Sequence, residues 1–240
     1  MAAALLCATA LGAPATAGVT DRIRDGFVKQ RGREAKAAPL ARYISEDGRV
    51  FTLDRTQPVP MLKFEDSPEV WVLLPSPAPR GDVIYKNDLG EPVLRATRLG
   101  GYTLFTDDRP NGQAVSLAGG GAPLRLAALS PQAVFERLAQ SSVRASRAAR
   151  RPMLFEAEAT PASSALIADA AVVTAVAIIR LSQRADGRRF LGRFSRVRFE
   201  EGKKAGASLK DGVLRIVVAP RQGLAGRPSS DKILKVALER

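Results

Sequence analysis

Between Tyr43 and Leu126 the apolar residues form short β-type runs, and turn residues separate the runs. Such runs between turn residues are typical of strands. The runs predict eight strands, at Arg49–Asp54, Met61–Glu65, Glu69–Leu74, Asp82–Lys86, Pro92–Thr97, Tyr102–Thr106, Gln113–Leu117 and Leu124–Leu126. Since no helical pattern lies between them, we expect an antiparallel β-rich meander or roll, or a small barrel.

Turn chemistry supports this expectation. Asn87–Gly90 and Asp107–Gly112 contain residues that tolerate a left-handed backbone and cap their own amides, which is typical of hairpin loops. Pro75–Pro79 is predicted to be a stiff surface connection, and Gly119–Gly121 a flexible one.

The pattern becomes helical at Ser130, which is the predicted N-cap of a helix that starts at Pro131 and ends near Ala149. A second helix, Ala165–Leu181, is almost wholly apolar and carries Asp169 in its first half. It is too short and too polar for a membrane span of about 20 residues, so we expect it to be the buried helix of the core.

Strands are predicted at Met153–Ala159, near Arg193–Glu200 and at Val213–Ala219, before a last helix at Asp231–Leu238. The fold class is therefore predicted to be α+β. The predicted organisation is a signal peptide at residues 1–17, a charged N-terminal arm at 18–40, a β-rich region at 41–128 and an α+β region at 129–240. The last two regions are either separate or fused in one core.

The first residues predict export. An apolar run from Ala2 to Ala13 precedes Ala15–Ala17, the small-x-small pattern that signal peptidase requires, and we expect cleavage after Ala17 and a periplasmic location. No Lys or Arg precedes the run, so either the true start lies upstream of Met1 or the free amine supplies the positive end. The alternative is a buried Ala-rich helix of a cytosolic protein. We expect no transmembrane segment in the mature chain.

Cys7 is the single cysteine, and the chain contains no histidine. Cleavage after Ala17 removes Cys7, so disulfides, thiolate nucleophiles, Ser-His and Cys-His catalysis and imidazole metal ligands are all excluded. No phosphate loop, dinucleotide fingerprint or Ca²⁺ loop spacing is present, and we expect neither a metal nor a cofactor.

Basic residues concentrate in the second half of the chain. After Ser130 there are 21 Lys and Arg against 10 Asp and Glu, a net charge of +11, whereas the whole chain carries +13. Such a balance favours an anionic partner, here an envelope polymer or lipid head groups. Nucleic acid is disfavoured because only 5% of the residues are aromatic and because the chain is predicted to be exported. The alternative is a solvated basic face.

Helical spacing and strand alternation select the candidate anion-binding residues. Four arginines fall within an arc of about 80° at 100° per residue if the predicted helix extends as far as Arg151. Alternation places two others on one face of a strand, and a further pair lies between these elements. The candidates are Arg137, Arg144, Arg147, Arg151, Arg188, Arg189, Arg196 and Arg198.

Carboxylates give the catalytic candidates, which are Asp169, Glu65 and Asp66. Asp169 lies in an apolar helix, so it must pair with an arginine, accept hydrogen bonds or remain protonated. We expect an arginine partner. Ser229 and Lys232 have the S-x-x-K spacing of penicillin-recognising enzymes, but the partner motifs are missing, and a helix-capping serine accounts for the same residues.

Four segments of the sequence resemble an uncharacterised family of exported alphaproteobacterial proteins, known as a domain of unknown function. They are Leu62–Trp71, Gly81–Asp88, Arg98–Gly101 and Gly226–Ser230. The resemblance covers most of the mature chain and implies an envelope location, but it brings no activity and no site residue.

These observations lead to three functional hypotheses. The first is a non-enzymatic exported protein whose basic C-terminal half contacts an anionic envelope component. The second is a carboxylate-based hydrolase of the envelope. The third is an assembly or structural partner of an outer-membrane complex, which would need an exposed apolar patch or edge strand.

Overall fold

A computed structural model describes residues 38–239 of the chain. The predicted signal peptide, residues 1–17, and the predicted arm up to residue 37 lie outside the described residues. The arm is predicted to reach residue 40, but Leu40 already begins the first strand.

The first nine strands form one antiparallel sheet whose ends almost meet. They are β1 (Leu40–Ser45), β2 (Val50–Asp54), β3 (Met61–Phe64), β4 (Val70–Val72), β5 (Leu74–Pro77), β6 (Val83–Lys86), β7 (Pro92–Ala96), β8 (Tyr102–Thr106) and β9 (Arg109–Gly120). Their order is β4-β3-β2-β1-β9-β8-β7-β6-β5. Only the buried Leu73 separates β4 from β5, so one bent segment pairs with β3 at its start and with β6 at its end. The sheet is a nearly closed barrel, which confirms the predicted β-rich region.

Alternating side chains fill the barrel. In β1, Ala41, Tyr43 and Ser45 are buried while the residues between them are exposed, because successive side chains of a strand point to opposite faces. The ring of Tyr43 lies 5.6 Å from that of Phe51 and 5.0 Å from that of Tyr102. Each such buried ring stabilises the fold by about 1.5–3 kcal/mol relative to an exposed one.

Four local predictions in this region are wrong. Gly119–Gly121 is not wholly a flexible connection, because β9 extends to Gly120 and pairs there with β1. Pro75–Pro79 is not wholly a surface connection, because Leu74–Pro77 forms β5. That strand pairs with β6 alone, so prolines, which lack an N–H donor, are tolerated there. Leu124–Leu126 is not a strand; instead the amide of Leu124 donates to Asp54. The β8–β9 hairpin turns already at Asp107, since Thr106 pairs with Arg109.

The second half alternates helices and strands. It contains α1 (Pro131–Ala149), β10 (Leu154–Ala157), α2 (Ser164–Ser182), α3 (Gly187–Leu191), β11 (Arg196–Glu201), β12 (Gly206–Lys210), β13 (Val213–Val218) and α4 (Ser230–Leu238). The strands form a second sheet in the order β10-β11-β13-β12, in which the first three are parallel and β12 is antiparallel to β13. The predicted α+β class is confirmed.

Helix α2 is the centre of this half. Twelve of its 19 residues are buried, and they pack against α1, α4 and the strands β11 and β13. Its many alanines let neighbouring elements approach closely. By length and composition α2 is the one helix of the described residues that could cross a membrane, but 67% of its apolar window is buried in the protein. The described part of the chain therefore contains no clear transmembrane segment, and the predicted buried helix is confirmed.

Candidate functional site

A cavity lies at one end of the barrel. In an up-and-down meander every second turn lies at the same end, so the β1–β2, β3–β4, β6–β7 and β8–β9 turns share one mouth. The C-terminal part of α2 and the start of α4 also line this cavity, which has a volume of about 770 Å³. We call this cavity the cleft.

Aromatic rings line one part of the cleft. Phe64, Trp71 and Phe105 contribute to its lining. Phe64 and Trp71 meet edge to face, with ring centroids 6.3 Å apart at 87°. The guanidinium carbon of Arg49 lies 4.7 Å from the centroid of the Phe64 ring, a cation–π contact.

The charged lining of the cleft is acidic, although the whole protein is basic. Two arginines line it, Arg49 and Arg180, against five carboxylates, which are Glu69, Glu91, Asp107, Asp108 and Asp231. Arg180 is held 2.6 Å from Asp231 and 3.5 Å from Asp107. Within the described residues, Glu91 and Asp108 form no ion pair.

A buried ionic group fixes the wall behind the cleft. Arg227 donates to Asp169, lies 3.7 Å from Glu69 and donates to the carbonyl oxygen of Val70 at 2.7 Å. The side chains of Arg227 and Glu69 are only 2% and 1% exposed. Burial raises the pKa of Glu69, although the charge of Arg227 opposes the shift. We call these three residues the Glu69–Arg227–Asp169 triad.

The N-terminus of α4 binds carboxylates of the barrel. The amide of Ser229 donates to Asp88 at 3.0 Å, the hydroxyl of Ser229 donates to the same carboxylate at 2.5 Å, and the amide of Ser230 donates to Glu69 at 2.9 Å. Helix N-termini carry partial positive charge, so both carboxylates stabilise this end. Ser229 also accepts from the amide of Lys232, which shows that the S-x-x-K spacing forms a helix cap. From Ala38 onward the barrel and the helical half belong to one compact unit.

The three candidate catalytic carboxylates lie outside the lining of the cleft. Asp169 pairs with Arg227, which confirms the expected arginine partner. Glu65 and Asp66 are exposed in the β3–β4 turn. Glu65 lies 3.0 Å from Arg42, and Asp66 lies 3.4 Å from Arg49 in the β1–β2 turn. The structure does not bring Asp169 together with the other two in the cleft, and a catalytic role for any of them stays a prediction. Within residues 38–239 no group of three or more acidic residues is arranged to hold a metal ion.

A family model matches residues 21–237, which includes both sheets and all but the last residue of α4. The chain belongs to the DUF4908 family, a domain of unknown function. The predicted resemblance to an uncharacterised family is confirmed. No curated protein and no solved structure matches the chain. The cleft and the triad lie wholly inside the DUF4908 domain.

Five of the eight predicted anion-binding residues of the DUF4908 domain lie on α1 and α3. Arg147 and Arg188 line a cavity of about 300 Å³ at the C-terminal ends of α1 and α2, and Arg150 joins them there. Arg137 and Arg144 are exposed on α1, and Arg189 is exposed on α3. We call the six residues Arg137, Arg144, Arg147, Arg150, Arg188 and Arg189 the arginine surface.

The remaining candidates have different surroundings. Arg151 is half-buried and donates to the carbonyl oxygens of Gly192 and Phe194 at 3.4 and 3.1 Å, so its charge stabilises the loop after α3. Arg196 and Arg198 lie on the exposed face of the second sheet, as their alternation predicts. Arg198 lies 3.5 Å from Glu158.

Sequence reasoning missed Arg150 and the whole cleft. Arg150 ends α1 in a left-handed conformation with φ of 53°, and no helical pattern places such a residue. The cleft joins residues more than 150 positions apart, such as Glu69 and Ser230. One signal of the cleft was present in the sequence: Glu69, Asp88 and Arg227 all lie in the segments on which the family resemblance rests.

Proposed function

We propose that this protein is a non-enzymatic exported protein of the cell envelope that contacts an anionic envelope component through the arginine surface. The net charge of +11 after Ser130 and the signal-like sequence of residues 1–17 support the proposal. The observation that carries it is the cavity at the ends of α1 and α2. Three arginines line that cavity, and none of its described lining residues is acidic.

Helix ends account for part of this arrangement. The C-terminus of a helix carries partial negative charge, which favours Arg147 and Arg150 at the end of α1. The same effect fades within one turn, so it does not explain Arg137 and Arg144 earlier in the helix. Among the described residues, the side chains of Arg147, Arg150 and Arg188 have no ion-pair partner. Their mutual repulsion would be relieved by a bound anion.

Salt-titrated binding to vesicles that contain acidic lipid, to lipopolysaccharide and to peptidoglycan tests the proposal. The variant Arg147→Gln/Arg150→Gln/Arg188→Gln is expected to bind about a hundredfold more weakly at low salt, at roughly 1 kcal/mol per cation. The control Arg196→Gln/Arg198→Gln/Arg215→Gln removes equal charge from the second sheet and should lose less. Failure of the wild-type protein to bind any of the three at low salt would rule the proposal out.

Export is tested separately by mass spectrometry of the mature N-terminus and by cell fractionation. We expect a mature chain that begins at Gly18 in the periplasmic fraction. A chain that retains Met1 in the cytosol would contradict this part of the proposal.

A carboxylate-based hydrolase is the second candidate, and the observation that favours it is Glu69. Burial raises its pKa as a general acid requires, and Asp231 lines the same cleft. Hydrolysis of purified peptidoglycan by the wild-type protein, abolished by Glu69→Gln, would support this candidate. Absence of any product would exclude it for that polymer.

An assembly partner of an outer-membrane complex is the third candidate. β10 is an edge strand of the second sheet, and Leu154 on it is 51% exposed, while Phe135 on α1 is 71% exposed. This role predicts co-purification with membranes that Leu154→Lys and Phe135→Lys weaken.

A further inference from the structure

The cleft has the opposite charge to the arginine surface. Its five carboxylates exceed its two arginines, and both arginines are already engaged: Arg180 with Asp231, and Arg49 with Asp66 and the Phe64 ring. An anionic ligand would therefore meet a negative wall, whereas a cation would be attracted.

Two carboxylates at the barrel turns are available for such a cation. Asp108 lies in the β8–β9 turn and forms no hydrogen bond or ion pair within residues 38–239. The carboxylate of Glu91 in the β6–β7 turn accepts a hydrogen bond from the side-chain amide of Asn87 at 3.0 Å, and this donor is neutral. Asp107 beside them is 94% exposed and has one contact, at 3.5 Å to Arg180. An ammonium group placed here would gain charge-assisted hydrogen bonds.

The aromatic wall provides a surface for a ring or another apolar body. Phe64, Trp71 and Phe105 line the cleft, and the contact of Arg49 with Phe64 shows that a cation already stacks on one of these rings. Thr106, which follows Phe105 in the chain, also lines the cleft.

The cavity is also held in shape and suited in size. The Glu69–Arg227–Asp169 triad and the contacts of Ser229 with Asp88 join the barrel turns to α4, so the wall is fixed before any ligand enters. A volume of about 770 Å³ lies within the range of about 300–1,000 Å³ that small-molecule sites occupy.

We infer that the cleft is a binding site for a small ligand that carries a primary ammonium group on a ring or other apolar body. The ammonium group lies between Glu91 and Asp108, and the ring lies against Trp71 and Phe105. An aromatic amine and an amino sugar share this chemistry. The site is distinct from the arginine surface in position and in the sign of its charge.

Trp71 makes the inference testable, because it is the single tryptophan of the chain and lines the cleft. Three probes share one ring and differ in charge: phenethylamine (+1), 2-phenylethanol (neutral) and phenylacetate (−1). Binding to the wild-type protein is measured by Trp71 fluorescence and by calorimetry. Phenethylamine is expected to bind in the millimolar range or tighter, ahead of 2-phenylethanol, with phenylacetate last. Glucosamine against N-acetylglucosamine repeats the comparison on a sugar and identifies which source the cleft prefers.

Variants locate the site. Asp108→Asn and Glu91→Gln are each expected to weaken phenethylamine binding by about threefold to fivefold and to leave 2-phenylethanol unchanged. Glu136→Gln, which removes an exposed carboxylate on α1, is the matched control and should change neither. The arginine variant Arg147→Gln/Arg150→Gln/Arg188→Gln should keep phenethylamine binding, so failure of the proposed function would not affect this result.

Two results would overturn the inference. One is phenylacetate or 2-phenylethanol binding as tightly as phenethylamine. The other is no fluorescence change and no heat with phenethylamine or glucosamine up to roughly 50 mM, since even a fragment-sized ligand of a formed pocket binds below that concentration.

Discussion

Replacement of Arg227 by methionine tests how the buried charges hold the barrel to the helical half. The substitution keeps an unbranched side chain as far as the position of Nε, but it removes the guanidinium group and leaves Glu69 and Asp169 without their cation. Because the Glu69 side chain is 1% exposed, water cannot replace the lost charge. Removal of one partner from a buried ion pair costs about 3–5 kcal/mol, and here the hydrogen bond to Val70 is lost as well.

The pH dependence of this loss follows from Glu69, whose pKa is already raised by burial. Loss of Arg227 removes the charge that opposes the shift, so the pKa of Glu69 rises further in the variant. A carboxyl whose pKa is higher in the folded than in the unfolded protein is stabilising below its unfolded pKa, and it loses that contribution as the pH rises through the folded pKa. The destabilisation should therefore be smaller at pH 5 than at pH 8.

Urea unfolding followed by Trp71 fluorescence measures the free energy of unfolding at both pH values. Arg198→Met is the matched control, because Arg198 and Glu158 form an exposed pair and its loss should cost no more than about 1 kcal/mol. The double variant Glu69→Gln/Arg227→Met should recover part of the loss, since it leaves no buried Glu69 charge. Equal losses for Arg227→Met and Arg198→Met, or a loss that grows towards pH 5, would refute the reasoning.

Two further predictions concern the barrel. Gly112 has φ of +82°, and an added Cβ would lie 2.5 Å from the Cγ2 of Thr103. Gly112→Ala should therefore lower the free energy of unfolding by about 1–3 kcal/mol, and by more than Gly48→Ala, whose Cβ would enter open space at a similar φ. Equal effects of the two variants in urea unfolding would show that the clash is relieved. Hydrogen bonds from the Ser45 hydroxyl and, second, from the Gln113 side-chain amide lower the pKa of Asp47 to about 2. The contribution of Asp47 to stability is therefore present above its unfolded pKa and is lost as the pH falls towards 2. Asp47→Asn should flatten the acid limb of the stability profile, and an unchanged limb would count against this pKa shift.

Local patterns predicted most of the elements because their causes are local. The barrel strands β2, β3, β6, β7 and β8 are short runs of mostly apolar residues between turn residues, and α2 is a long run of apolar helix formers. β1 and β12 were missed for physical reasons. β1 contains Arg42 beside a charged segment, and of its two partners, β2 and β9, the second lies about 70 residues away. β12 is a short edge strand that begins with Gly, Ala and Ser, and sheet pairing with β13 stabilises it more than its own propensity does.

The site was less predictable than the fold because tertiary structure assembles it. The sequence indicated that Asp169 needs an arginine, but it offered 28 of them and no rule to choose Arg227. The helical arc of Arg137, Arg144 and Arg147 followed from spacing alone. The cavity that brings Arg147 to Arg188 depends instead on how α1 packs against α2, which side-chain volumes decide.

The contacts of α4 with the barrel constrain the order in which the molecule matures. Glu69 and Asp88 lie early in the chain, yet the amides that they accept from belong to Ser229 and Ser230. A chain that emerges from a ribosome or a translocation pore N-terminus first must hold both carboxylates in water until α4 arrives. The barrel hairpins can form early because their contacts are local. The contacts between the barrel turns and α4 cannot form before this last described helix has emerged. We therefore expect vectorial folding to pause with an open barrel mouth and to finish in one late docking step.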